Sequence, residues 1–159
     1  MITIHFQPSF HKESLITFNG NEISYEILPR LQDVSVLENK EKLKVAEYLK
    51  LKKLKAQNLE AEKERFKEKK QLENHQLSLK LDIEKLIQQS IKSLVVDDRI
   101  ILDGIIIECT ISEVGKIEFH SPEEASVAFK IVENLFAILH ESFQEVQILE
   151  HIQIVQKYF

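Results

Sequence analysis

Glu118 and His120 are the two side chains in this sequence best suited to acid–base chemistry. They lie two residues apart in an alternating segment, so a strand would place both on one face, where Asp103 or Glu108 could join them across a hairpin. The polar face of a half-exposed sheet produces the same pattern without catalysis. We favour this second interpretation, because no catalytic motif accompanies the pair.

Cys109 is the only cysteine, which excludes an internal disulfide and a thiolate metal cluster. It alternates with the isoleucines of a predicted strand, Ile105, Ile107 and Ile111. A nucleophilic cysteine needs a neighbour that stabilises the thiolate, and the local sequence supplies no base. The pattern therefore predicts a buried structural thiol.

The familiar catalytic and phosphate-binding motifs are absent from the sequence. Three isolated glycines cannot build GxGxxG or GxxxxGK[ST], and neither GxSxG nor HExxH occurs. His140-Glu141 is followed by Glu145 but by no second histidine at the spacing that a zinc site needs. We expect no catalytic residue, no cofactor and no bound metal, and hence a protein that is not an enzyme.

The segment 38–75 differs from the rest of the chain in its charge. It holds 12 basic and 8 acidic residues, a charge of +4, which leaves −9 for the other 121 residues of a chain with net charge −5. Glu60–Lys63 and Glu62–Arg65 are opposite charges at helical spacing. Because acids are interleaved with the lysines, the segment indicates an exposed helix rather than a nucleic-acid surface.

The same segment gives only a poor coiled-coil seam. A heptad frame that starts at Leu51 places these residues on the seam: Leu51, Leu54, Asn58, Ala61, Arg65, Glu68 and Leu72. The polar positions among them fit a helix–helix interface badly. Self-association through this helix would need support from elsewhere in the chain.

The first third of the sequence predicts antiparallel strands at 2–6, 14–18 and 22–28. Asn19-Gly20 suits a two-residue hairpin turn, which would pair Phe18 with Asn21 and Ile16 with Ile23. The hairpin then has one apolar face, formed by Ile16, Phe18, Ile23, Tyr25 and Ile27.

The residues that follow predict a second group of strands after one core helix. An apolar stripe indicates a helix over 78–95, which continues the charged helix or forms an antiparallel pair with it, broken within 72–76. Strands follow at 99–111 and 116–120, with Asp103-Gly104 at a bulge and a turn at 112–115. An alternative places the hairpin turn at Asp103-Gly104 itself.

The C-terminal part predicts helices. Ser121 can cap a helix, Pro122 suits its first position and Glu124 completes a capping box, so we expect a core helix over 122–142. Residues 145–158 indicate a last short helix, although their partial alternation leaves a strand open.

The composition is that of one globular domain. The 159 residues are 43% apolar and 30% charged, and the longest apolar run is the five residues 135–139, far below the roughly 20 residues of a membrane span. The N-terminus has no basic region or apolar stretch of signal-peptide length. We therefore expect a cytoplasmic protein that does not bind a membrane.

The layout from Leu102 onward consists of LDG, a long strand, a return strand ending in SP, a long amphipathic helix and a short terminal element. Together with the N-terminal hairpin, it resembles the small cytosolic immunity proteins of bacterial toxin systems. The likeness covers residues 1–35 and 100–159 and leaves out the charged segment. It implies a non-catalytic α+β protein that binds one protein partner, its toxin. An acidic body would suit a basic toxin such as a nuclease.

We therefore predict one α+β domain over 1–159, with an antiparallel sheet, amphipathic helices and a long charged helix inserted between the N-terminal hairpin and the C-terminal strands. Its parts are the strands of 1–35, the helical segment 38–95, the strands of 99–120 and the helices of 122–159. The expected function is neutralisation of a toxin. The alternatives are an adaptor that forms a homodimer through the long helix and, last, a small hydrolase using His120 and Glu118. The candidate partner-binding residues are Glu108, Glu113, Glu118, His120, Glu62, Glu64 and Glu68.

Overall fold

A computed structural model describes residues 1–93 and 104–159. Within them the chain is α+β, and its strands form one antiparallel sheet, which confirms the predicted fold class. The strands are β1 (Ile2–Pro8), β2 (Ser14–Asn19), β3 (Glu22–Ile27), β4 (Phe66–Gln71), β5 (Ile105–Ile111) and β6 (Gly115–His120). The helices are α1 (Ser35–Glu38), α2 (Val45–Glu62), α3 (Asn74–Ser93), α4 (Val127–Ser142) and α5 (Val146–Gln156).

The chain divides into two compact units. The first consists of Met1–Ile27 and Lys67–Phe159, and the second of Leu28–Phe66. The single domain that we predicted stays a prediction.

The sheet of the first unit has the order β4-β3-β2-β1-β5-β6. One face is apolar because alternate residues of the strands point to it, among them Ile4, Phe18 and Ile107. Helices α3, α4 and α5 cover this face. The ring of Phe6 stacks on Phe136 of α4 with centroids 6.0 Å apart. Cys109 lies in the same layer and is buried, as predicted.

The first hairpin has the predicted strands and apolar face, but its turn lies one residue later. Asn19 pairs with Glu22 and Phe18 with Ile23, so the turn residues are Gly20 and Asn21. Gly20 has φ 58°, whereas Asn21 is not among the residues with positive φ. This pattern suits a turn that needs glycine at its first central position, which explains the shift.

The charged segment 38–75 is not one helix. Its helical part is α2, the charged helix inserted between the hairpin and the C-terminal strands, and the chain leaves the helix at Lys63. Residues 66–71, with the sequence FKEKKQ, then form strand β4. The predicted break at 72–76 was therefore too late. Good helix formers adopt a strand here because the backbone pairs with β3, as the Leu72 amide does with the Asn21 carbonyl, and tertiary contacts outweigh propensity. Lys67 and Lys69 also donate to Glu26 and Glu22 of β3.

Helix α4 begins at Val127, five residues later than we predicted. Ser126 is its cap, and its Oγ accepts a hydrogen bond from the Phe129 amide at 3.0 Å. Ser121 is used by the sheet instead: its amide donates to the Ile105 carbonyl, and its Oγ accepts from the Ile105 amide. A serine bound to the sheet in this way cannot cap a helix.

Three other predictions meet different outcomes. The last segment is a helix, α5, rather than a strand. The turn before β6 lies at 112–114, one residue shorter than the predicted 112–115, because Gly115 already pairs with Ile111. The predicted strand portion 99–103 and the choice between a bulge and a turn at Asp103-Gly104 lie outside the described residues.

The second unit contains α1 and α2. The Asn58 side chain fixes the preceding loop, because its Oδ1 accepts from the Gln32 amide at 2.7 Å and its Nδ2 donates to the Gln32 carbonyl at 2.9 Å. Lys55 forms an ion pair with Glu38 of α1. The predicted pairs Glu60–Lys63 and Glu62–Arg65 are both present, at 2.8 Å each.

Candidate protein-binding surface

The sheet face opposite the apolar layer carries polar side chains that solvent reaches. We call it the open face and define it by these half-exposed or exposed residues of four strands: Thr3, His5, Gln7, Leu15, Thr17, Ile106, Glu108, Thr110, Lys116, Glu118 and His120. Side chains alternate between the two faces along each strand, so burying one set leaves the other set available.

Strand pairing arranges these residues in rows across the sheet. His5 lies opposite both Leu15 and Glu108, and Glu108 lies opposite Glu118. Like charges directly opposite each other on an antiparallel pair are destabilising. Lys116 Nζ offsets part of this repulsion, because it donates to Glu108 Oε2 at 3.0 Å.

The predicted contact between Glu118 and His120 does form. His120 Nε2 and Glu118 Oε1 are 2.7 Å apart on β6, with side chains 29% and 46% exposed. Electrostatic contributions to catalysis are largest where water is excluded, and water reaches both of these groups. The geometry is that of a surface hydrogen bond on the edge strand of the sheet.

A second carboxylate–histidine contact lies on the open face and was missed from the sequence. His5 Nε2 donates to Glu13 Oε2 at 2.7 Å, while the Gln7 amide donates to His5 Nδ1 at 3.1 Å. The alternation of β1 could have placed His5 on this face. Glu13 precedes β2, and only the register of β1 with β2 brings it close.

The structure separates the seven candidate residues. Glu108, Glu118 and His120 share the open face, and Glu113 lies at the tip of the same hairpin with φ 67°. Glu68 lies on β4, at the other end of the sheet order. The candidates Glu62 and Glu64 belong to the second unit.

Ion pairs within the chain engage Glu62 and Glu68. Glu62 accepts two hydrogen bonds from the Arg65 guanidinium, at 2.8 and 3.0 Å. Glu68 contacts Lys70 Nζ at 2.6 Å, and the same ammonium donates to Glu145 of the loop before α5 at 3.1 Å. These two hydrogen bonds raise the pKa of the Lys70 ammonium.

The buried polar groups of the first unit are structural. Burial, together with the nearby charge of Glu108, raises the pKa of the Cys109 thiol to about 12, so it stays protonated. His151 Nε2 donates to the Lys12 carbonyl at 3.0 Å, which leaves Nδ1 to accept from the Tyr25 hydroxyl at 2.8 Å. Burial lowers the pKa of His151 and favours this neutral form.

Among residues 1–93 and 104–159, no three histidine, cysteine, aspartate or glutamate side chains are grouped so that they could hold a metal ion. The helices of the same residues include none that is both long and apolar enough to cross a bilayer. Comparisons with models of protein families, with characterised proteins and with solved structures gave no match.

Proposed function

We propose that the protein is a non-enzymatic, cytoplasmic binding protein whose open face receives a basic protein, and that this partner is a bacterial toxin that it neutralises. The observation that carries the proposal is the register pair Glu108–Glu118, two carboxylates side by side on an exposed sheet face. Glu13 adds a third negative charge, and Lys116 is the one lysine among the residues that define the face.

A basic partner would relieve the repulsion within this row of carboxylates. A lysine or arginine placed between Glu108 and Glu118 would form charge-assisted hydrogen bonds with both side chains. Leu15 and Ile106 lie among the polar residues of the face and provide apolar area for contact. The negative charge of the whole chain would also speed the approach of a positively charged protein.

The experiment co-expresses the chain with the product of the adjacent gene and compares two charge reversals. Glu108→Lys lies on the open face, whereas Glu133→Lys is an exposed control in α4. We expect Glu108→Lys to weaken binding by about tenfold or more and Glu133→Lys to leave it unchanged. Equal effects of both variants would contradict the use of this face. Survival of a host that makes the toxin without this protein would contradict neutralisation.

A second candidate function, an adaptor that dimerises through the long helix, is favoured by a specific feature of α2. Apolar side chains occur at helical spacing along one side: Val45, Tyr48, Leu49, Ala56 and Leu59. All are exposed, Val45 at 78% and Leu59 at 67%. Large exposed apolar residues that cluster in this way are typical of interaction surfaces.

This stripe is not the seam of the heptad frame considered above. Leu51, Leu54 and Asn58 from that frame are half-buried and lie on the other side of α2. Sedimentation of Leu49→Glu beside Gln57→Glu, an exposed control outside the stripe, tests the adaptor function. It predicts a dimer that Leu49→Glu alone dissociates. A monomer at every concentration would contradict it.

A further inference from the structure

Strand β6 forms one end of the sheet. Within residues 1–93 and 104–159, its only strand neighbour is β5. The Ser121 amide donates to the Ile105 carbonyl at 2.8 Å, which identifies this as a hydrogen-bonded register pair. Hydrogen-bonded and non-hydrogen-bonded pairs alternate along an antiparallel ladder. The backbone groups of Phe119 and Ile117 therefore point toward β5, and those of Lys116 and Glu118 point away from the sheet.

Such an edge can accept another strand, and the side chains of β6 do little to prevent it. Natural edges are often blocked by charged residues that point toward the covered face. On β6, the residues that point to that face are Ile117 and Phe119, exposed by only 8% and 7%. The charged residues Lys116 and Glu118 point to the open face.

We propose that β6 pairs in antiparallel fashion with β6 of a second copy of this chain, so that the two sheets join into one. The two-fold axis passes between Ile117 and its symmetry mate. Lys116 of each copy then lies opposite Glu118 of the other, and the two residues exchange both backbone hydrogen bonds. The interface is isologous and closes as a dimer.

Charge selects this register from its neighbours. Opposite charges facing each other across strands are stabilising, and like charges are destabilising. Shifting the axis to Glu118 would place that carboxylate against its own symmetry mate. Shifting it to Gly115 would place Lys116 against Val114. Only the axis at Ile117 gives two symmetric Lys116–Glu118 pairs.

The covered face supports the same register. With the axis at Ile117, Phe119 of one copy lies opposite Gly115 of the other. An aromatic ring can cover the backbone of a glycine across a strand pair, and glycine leaves room for the ring. Val114, which is 47% exposed in the single chain, would lie beside His120 of the second copy.

Charge reversal tests the register directly by sedimentation of the full-length protein over a wide concentration range. Lys116→Glu turns both contacts into carboxylate pairs, and Glu118→Lys turns both into ammonium pairs. We expect each single variant to raise the dissociation constant of the dimer by about tenfold or more. The double variant Lys116→Glu/Glu118→Lys restores opposite charges and should return the constant to within about threefold of the original.

Sedimentation of the chain alone separates this proposal from the proposed toxin binding. Toxin binding at the open face does not require that the two copies pair, so loss of toxin binding alone says nothing against the dimer. Leu49→Glu in α2 should leave the β6 dimer intact. Circular dichroism of each variant checks that the fold is retained.

Three results would overturn the proposal. One is a wild-type protein that remains monomeric at every concentration. Another is a dimer that Leu49→Glu dissociates and the charge reversals do not affect. The third is a dimer that both single reversals weaken and the double variant fails to restore.

Discussion

The two ends of the sheet, β4 and β6, are strands of six residues each, and both carry charged side chains. They differ in where those charges point. On β4, Lys67 and Lys69 are exposed and donate to glutamates of β3, while Glu68 and Lys70 are half-buried on the opposite side of the strand. On β6, the corresponding inward positions are Ile117 and Phe119.

The direction in which a charge points therefore matters more at a sheet edge than the number of charges. A strand added beside β4 would bring its own side chains against Glu68 and Lys70 and would partly desolvate them. A strand added beside β6 would meet apolar side chains on one face and a complementary charge pattern on the other. We infer that β4 is a blocked edge and β6 an open one.

The largest effect is expected from removing an outward backbone donor of β6. Glu118→Pro deletes an amide that does not bond to β5, so the fold should survive, as proline is tolerated on edge strands. Two of the four Lys116–Glu118 backbone hydrogen bonds of the proposed dimer are lost, together with both charge pairs, and we expect only monomer in sedimentation. The Leu72 amide donates to the Asn21 carbonyl, so by the same alternation the amides of Lys67 and Lys69 point away from β3. Lys69→Pro on β4 is therefore the matched control and should leave the dimer intact. If Glu118→Pro and Lys69→Pro had the same effect on the dimer, the distinction between an open and a blocked edge would be wrong.

A smaller effect is expected from opening the blocked edge. Replacing the inward charges with Glu68→Val and Lys70→Val gives β4 an apolar inner side like that of β6. A chain with two open edges can add copies at both, so light scattering should show species larger than a dimer. Both charges of the half-buried Glu68–Lys70 pair are replaced by apolar side chains, and replacing both partners together can be nearly neutral, so the fold should persist.

The control for the opened edge is Lys67→Val with Lys69→Val, which introduces the same two valines but keeps the inward charges Glu68 and Lys70. That variant should not form larger species. If it assembles as strongly as the first, lost surface charge rather than charge direction controls association.

The smallest effect concerns the layer beneath the sheet. This layer differs between the two ends of the sheet. Tyr25 of β3, next to the blocked edge, makes a buried polar contact with His151, whereas Gly115 of β6 lies beside the apolar side chain of Ile91. Burial lowers the pKa of His151, and the charges of His11 and Lys12 act in the same direction. Well above about pH 6.5, the ordinary pKa of histidine, the side chain is neutral in both the folded and the unfolded chain and gives no pH dependence.

As the pH falls below about 6.5, the unfolded chain takes up this proton before the folded chain does, so stability decreases. The slope is at most about 1.4 kcal/mol per pH unit, down to the lowered pKa of the folded state. Urea unfolding at several pH values should show this component in the wild type and not in His151→Gln. The control is His140→Gln, because His140 is exposed and its ring contacts the Gln156 amide at 2.9 Å rather than a carboxylate. An unchanged slope in His151→Gln would contradict the assignment.

Much of the fold follows from local patterns in the sequence. The alternation of Ile16, Phe18, Ile23 and Tyr25 predicts the hairpin and its buried face, because alternate residues of a strand point to the same side of the sheet. The stripe containing Ile83 and Ile87 predicts α3 in the same way. These predictions hold because the signal lies within one element.

The misses depend on partners that are distant in sequence. Strand β4 consists of residues that favour helix, and it becomes a strand because it pairs with β3. The glutamates of β3 that its lysines contact, Glu26 and Glu22, lie 41 and 47 positions earlier in the chain. Ser121 looks like a helix cap until the register places it beside Ile105. The pattern of one hairpin predicts that Glu108 lies near Glu118. The contact of His5 with Glu13 could not be predicted in this way, because it depends on the register of β1 with β2.

The distinction between the two edges is tested most directly by amide hydrogen exchange, measured residue by residue by NMR at low and high protein concentration. We predict that the amides of Lys116 and Glu118 exchange rapidly at low concentration and become protected at high concentration, while those of Ile117 and Phe119 are protected throughout. The outward amides of β4, on Lys67 and Lys69, should not change. Protection of Lys116 and Glu118 already in the dilute monomer, or gain of protection on β4 instead, would contradict an open edge at β6.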